Sequence, residues 1–223
     1  MTVTKYQLLR KQRSEEKLLQ SGLIVNPSFP VLPSEADIQA RSAQDVAKRA
    51  LALYNLLGVI FYEEPEKIVQ WTIDEGLWDS LSPREQEIFS IPTSGKDAGE
   101  KSWALKALRS NILTWRVEAL WILLWCLGKV DYLGLPQEKI DGSEIREFMP
   151  ALGESVHAFV TQAKLRPLSE ILDQIDIHYR VYWAMSEAEE EGKELLIHLD
   201  SFILYERLHA LSWFAGFEEE WDD

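Results

Sequence analysis

The chain has 223 residues, enough for one domain or two small ones, and its apolar (46%) and aromatic (11%) fractions exclude disorder for most of its length. A formal net charge of −14 excludes a nucleic-acid binder, which needs a basic face to neutralise phosphates, and an anionic membrane surface as a partner. A basic protein remains a compatible partner, beside the plainer reading that acidity serves solubility.

In chain order, residues Lys5 to Gln20 form a short amphipathic helix with Leu8, Leu9, Leu18 and Leu19 as apolar anchors, stopped by Ser21 and Gly22. Pro27, Pro30 and Pro33 then make Leu23 to Pro33 an extended arm, since proline removes N–H donors and fixes φ. Ile24, Val25, Phe29 and Val31 suggest that this arm packs on the body. The division is an N-terminal helix and arm over 1–40 and a helical domain over 41–223.

Val46, Ala50, Leu53, Leu57 and Ile60 recur at helical spacing behind Ser42, which pairs with Asp45 as a capping box. Pro65 opens the next helix and Gly76 closes it; Ser82, Pro83 and Glu85 repeat that starting chemistry. Residues 94–99 form a loop. A long helix follows from Glu100 to Leu127, apolar on nearly every side from Trp115 onward and therefore the buried axis of the fold. Short helices are expected at Glu144–Met149 and Glu154–Ala163, and longer ones from Pro167 to Glu191 and from Asp200 to Gly216. No strand pattern appears, so the fold class is all-α: a single irregular helical bundle with an extended proline-containing arm.

No apolar secretory segment precedes Lys17, and the apolar run Ala119 to Leu127 is far short of the roughly 20 residues that span a bilayer. Cys126, the single cysteine, lies inside that run as a small buried hydrophobe. A cytoplasmic location is the expectation.

Three blocks mix charged and apolar residues in fixed order. They are Arg41 to Leu53, Trp115 to Leu120 running on to Gly128, and Tyr205-Glu206-Arg207 with Ala210 to Trp213. From about Ser21 to the end the chain resembles the bacterial family of domains of unknown function numbered 4272. The resemblance implies a bacterial cytosolic domain and carries no catalytic residue.

Charge near the core supplies the candidate sites. Arg49, Arg116, Glu118, Arg180, Glu206 and Arg207 lie in strongly apolar helical stretches. Arg116 and Glu118 are about 200° apart around a helix, so each needs a partner from another helix, with Arg49, Glu206 and Arg207 the natural suppliers. The set is either a structural ion-pair network or an arginine-lined pocket for a carboxylate or phosphate. Glu154 with His157 and Glu206 with His209 share the Glu-x-x-His spacing of carboxylate di-metal bundles, with Glu118 as a further ligand. Chance matches of so short a pattern are common in an acidic chain. His178 sits on an aromatic-rich face and reads as core.

Glu187, Glu190, Glu191 and Glu194, then Glu218, Glu219 and Glu220, form acidic runs that mark a solvated helix end and a frayed tail. They are also the surface a basic partner would meet. No phosphate loop, HExxH or G-x-S-x-G occurs, which leans away from an enzyme, and no cofactor is called for. The leading expectation is a protein–protein interaction module, of which an immunity-like partner of a basic effector is one form. A small-molecule or enzymatic domain using the Arg/Glu pocket is the alternative, and a di-metal protein a remote one.

Overall fold

The computed structural model describes residues 3–91 and 112–222. Every regular element among them is helical: α1 (Lys5–Gln20), α2 (Ala43–Phe61), α3 (Pro65–Asp74), α4 (Pro83–Phe89), α5 (Arg116–Cys126), α6 (Gly142–Ile145), α7 (His157–Thr161), α8 (Leu168–Glu190) and α9 (Ser201–Ala215). The all-α expectation holds. Short 3₁₀ turns join several of them, one over Ile112–Trp115 leading into α5. The expected loop at 94–99 and the start of the long helix lie outside the described residues.

Local chemistry sets the helix starts. Ser42 accepts from the Asp45 N–H and Ser82 from the Glu85 N–H, each in a reciprocal capping box. Thr4 and Gln7 make a third such box at α1. Asp200 accepts from the N–H groups of Phe202 and Ile203 at α9. That helix ends at Gly216, with φ 73°, where a Cβ would stand 2.7 Å from the Gln39 carbonyl oxygen. Only glycine suits both the left-handed turn and that approach.

α5 is the axis. From Val117 to Cys126 every side chain is buried, and the helix packs on α2 and α9. Its Leu120, Leu123 and Leu124 meet Val46, Ala50 and Leu53 of α2, Leu211 and Phe214 of α9, and Ile171 and Leu172 of α8. A second cluster joins Leu56 and Ile60 of α2 to Ile68, Leu81 and Phe89. A third joins Leu18 of α1 to Ile177, Val181 and Leu204. At the far end of α5, Arg166 donates to the carbonyls of Trp125 (2.8 Å) and Val130 (2.6 Å), tying the last turn to the chain that follows it. No helix of the described residues is long and apolar enough to cross a membrane.

α1 corrects the sequence reading of its inner face. Leu8, Leu9 and Leu19 are exposed; the buried face is Gln7, Arg10, Ser14 and Leu18. The reason is that α1 docks by polar groups. Gln7 donates to the Leu32 carbonyl at 2.8 Å and Arg10 to the Pro33 carbonyl at 3.0 Å, which closes the arm over the helix. Arg13 bonds both oxygens of Asp173 on α8, at 2.9 and 2.8 Å, and Glu15 accepts from Arg180 at 3.0 Å. One apolar side chain, Leu18, anchors what these bonds orient. Glu15→Ala with Asp173→Ala is expected to raise amide exchange throughout 5–20 by tenfold or more while α5 and α9 stay protected, measured by hydrogen–deuterium exchange mass spectrometry. Unchanged protection of α1 would contradict polar docking.

Candidate functional site

The six candidate charges, five of them buried and Arg116 partly so, separate into three joints. At the first, α5 faces α9: Arg116 Nη1 lies 3.1 Å from Glu206 Oε2, and Arg207 Nε lies 2.9 Å from Glu118 Oε2. Each helix thus supplies one cation and one anion, and the two pairs cross. Arg49 belongs to a second joint, which corrects its expected pairing with α5 or α9. Its guanidinium grips both oxygens of Glu85 and donates to the Ser80 carbonyl at 3.3 Å. Glu85 also accepts from the Ser82 N–H at 2.8 Å, so one carboxylate caps α4 and ties it to α2. The sequence reading gave Glu85 only its cap role. Arg180 makes the third joint, with Asp176 at 2.8 Å and Glu15 at 3.0 Å.

Glu118 is the most enclosed of these groups, with no exposed surface. Its second oxygen accepts from the Ile140 N–H at 2.6 Å. Arg207 in turn donates to the Gly134 carbonyl at 2.8 Å. One ion pair therefore fixes both helices and the irregular 129–141 connection that follows α5. Taking two charges out of water is expensive, and only such a full set of partners offsets it. Burial pushes the Glu206 carboxyl up, opposed by Arg116.

The acidic C-terminal run is not frayed, contrary to expectation. Trp221 is 4% exposed. Its ring lies 4.6 Å from the Arg49 guanidinium carbon and 5.5 Å from that of Arg116, and it meets the edges of His209 and Trp213. Arg49 and Arg116 do converge, but on an aromatic ring rather than on a shared carboxylate. Arg41 donates to the Glu218 and Glu219 carbonyls, and Asp222 accepts from the Arg84 N–H at 3.1 Å. An indole worth burying, with Glu219 and Glu220 left exposed beside it, explains why the segment docks. Glu219 and Glu220 are exposed and Glu218 half-buried. Of the other acidic run, Glu190, Glu191 and Glu194 are exposed and Glu187 half-buried; Glu191 pairs with Lys193 at 2.7 Å.

The Glu-x-x-His pairs do not meet. Glu154 and His157 are exposed, and Glu154 accepts from the Ala151 N–H at 2.9 Å in its own turn. Glu206 is held by Arg116, and His209 is buried against Trp221. Among the described residues no three His, Cys, Asp or Glu side chains come together as a metal cluster. Burial pushes the Cys126 thiol up, which keeps it protonated.

Among the described residues lie two large cavities, and none of the six charges lines either. A groove of about 1,050 Å³ runs between the C-terminal half of α8, the 193–199 connection and α9. Tyr182, Leu196 and Tyr205 line it with Glu189 and Glu194, and the first three are 57%, 86% and 56% exposed. A second cavity of about 660 Å³ lies between α2, α3 and residues 139–152. Sequence periodicity gave no sign of either, since both are made by irregular connections passing over helices.

The two buried histidines give a pH dependence. Burial, with Arg116 and Arg49 nearby, draws His209 from 6.5 to about 4, opposed by a hydrogen bond to the Trp221 backbone and by the Asp222 carboxylate. Burial holds His178 at about 3; its Nδ1–H donates to the Gln174 carbonyl at 2.8 Å. Well above pH 6.5 both rings are neutral, folded or unfolded. As pH falls from there toward 4, the unfolded chain takes up protons that the folded chain refuses. Stability then drops by up to about 1.4 kcal/mol per pH unit for each ring. His209→Gln is expected to flatten this slope in urea titrations across that window. An unchanged slope would place His209 among ordinary titrating histidines.

No curated protein and no solved structure matches the chain. The family described as "Domain of unknown function (DUF4272)" matches residues 10–223, beginning inside α1 and covering every helix after it. By that near-complete match, the chain belongs to the DUF4272 family.

Proposed function

We propose that the chain is a protein–protein interaction module whose contact surface is the groove between α8 and α9. One observation carries the reading: exposed Tyr182, Leu196 and Tyr205 line the same open groove as the carboxylates Glu189 and Glu194. Apolar area of this size standing in water, beside carboxylates, suits a basic amphipathic segment, with apolar anchors on the floor and lysines or arginines at the edge. The net charge of −14 adds long-range attraction for such a partner. An immunity-like protein that neutralises a basic effector is one form of this role, in a cytoplasmic setting.

The C-terminal run is the weaker half of the originally expected acidic surface, because its backbone carbonyls and Trp221 are committed to the fold. The run at the C-terminal end of α8 carries the contact, and Glu218 is the residue of the tail run that also lines the groove. Among the six charges once considered for a ligand pocket, each is paired within the protein, which favours their structural role.

The test uses the tagged full chain against lysate of its own source cells, at low and moderate salt. A stoichiometric basic protein is expected, released by salt and lost with Leu196→Asp or with Glu189→Lys and Glu194→Lys together. Charge reversal at Glu219 and Glu220 is expected to leave it bound. Binding that ignores the groove variants and fails with the tail variants would overturn the assignment.

A further inference from the structure

The 660 Å³ cavity between α2 and α3 is separate from the groove and has a different chemistry. Its volume falls in the range of small-molecule sites, and it is more enclosed than the α8–α9 groove. Tyr54 and Tyr62 of the α2 side and Trp71 of α3 give it aromatic walls. Ile140, on the opposite side, is held in place by its N–H bond to Glu118.

The informative residue is Asn55, which lines the cavity and is 1% exposed. Its Nδ2 donates to Thr72 Oγ1 at 2.9 Å, and Thr72 Oγ1 donates its own proton to the Ile68 carbonyl at 2.8 Å. With that proton committed, Thr72 can only accept from Asn55. The relay therefore fixes which end of the amide faces Thr72. The other end, Oδ1, is a buried acceptor with no protein partner. Such a group is rare in a folded chain and marks a place where a further donor belongs. Thr72 does not line the cavity and Asn55 does, so a donor that completes the buried Oδ1 has to come from the cavity side.

Two cations, Lys139 and Arg146, line the same cavity and are exposed, which puts them at its mouth. The lysine ammonium already rests 4.2 Å from the Trp115 ring centre. One carboxylate, Asp141, is also present, but it caps α6 by accepting from the Ser143 N–H at 2.9 Å. With Asp141 counted at full charge, the lining still carries two cations against one carboxylate, in a chain that is strongly negative elsewhere.

We propose that this cavity binds a small organic anion with an aromatic body and one N–H group. The body lies against Tyr54 and Trp71, the N–H donates to Asn55 Oδ1, and the carboxylate or phosphate is held by Lys139 and Arg146. No covalent step is involved.

Calorimetry on the full chain tests this with N–H-bearing aromatic acids, indole-3-acetate and N-acetyltryptophan, each beside its neutral amide. At least one acid is expected to bind saturably, one per chain, about tenfold more tightly than its amide. Lys139→Ala or Arg146→Ala, both at exposed positions, should erase that preference while leaving the thermal midpoint within a degree or two. Asn55→Leu should weaken acid and amide alike. The proposal is overturned if neither acid binds at millimolar concentration. It is equally overturned if binding survives unchanged in the Lys139 and Arg146 variants, a result that does not depend on whether the Asn55 variant folds.

Discussion

The bond on which most of this structure depends is the one between Glu118 and Arg207. It lies where the two most apolar helices, α5 and α9, face each other, and neither charge can reach water. A carboxylate there is tolerated only because its oxygens have the Arg207 guanidinium and the Ile140 N–H, and the arginine has the Gly134 carbonyl besides. A hydrophobic pair of similar volume would pack as well, and in other proteins such replacements are often neutral or stabilising. What an apolar pair could not do is hold the irregular connection from α5 to α6 by its backbone. Ile140 on that connection is also a wall of the α2–α3 cavity, so the joint positions a surface that it does not itself line.

The other buried charges work in the same manner. Arg49 with Glu85 ties α2 to the start of α4, and Arg180 with Asp176 and Glu15 ties α8 to α1. Apolar contact drives these helices together, while charge pairs select their register. The C-terminal segment follows the pattern: Trp221 provides area, and Arg49, Arg116 and Arg41 provide direction. With Arg41, Arg49, Arg116, Arg180 and Arg207 occupied by partners in the fold, the protein presents mostly carboxylates outward. That excess frames both the groove between α8 and α9 and the contrasting positive mouth of the α2–α3 cavity.

The sequence was legible where chemistry is local. Ser42 with Asp45, Ser82 with Glu85, and Gly216 after Phe214 mark helix ends because a cap is satisfied within a few residues. The continuous apolar run of α5 marks the axis for the same kind of reason. The resemblance to the family was legible too, and the match over 10–223 bears it out. What was not legible is pairing across the chain. Glu85 has an evident local role that conceals its hold on Arg49. Leu8, Leu9 and Leu19 suggest an inner face that α1 turns outward, since Gln7, Arg10 and Arg13 find better partners than leucines would. Trp221 sits among carboxylates and reads as tail. Asn55 is one amide in an apolar helix, and only Thr72 and Ile68 reveal its unanswered carbonyl.

The most direct test of the structural role of these charges is a double-mutant cycle in urea with Glu118→Leu, Arg207→Met and the two combined. Each single change leaves one buried charge without its counter-ion and is expected to cost about 3–5 kcal/mol. The double variant should be far more stable than the sum of the singles implies, with a coupling of about 2 kcal/mol or more. Near-neutral single variants, or costs that simply add, would contradict the account and return Glu118 and Arg207 to the list of candidate ligand-binding residues.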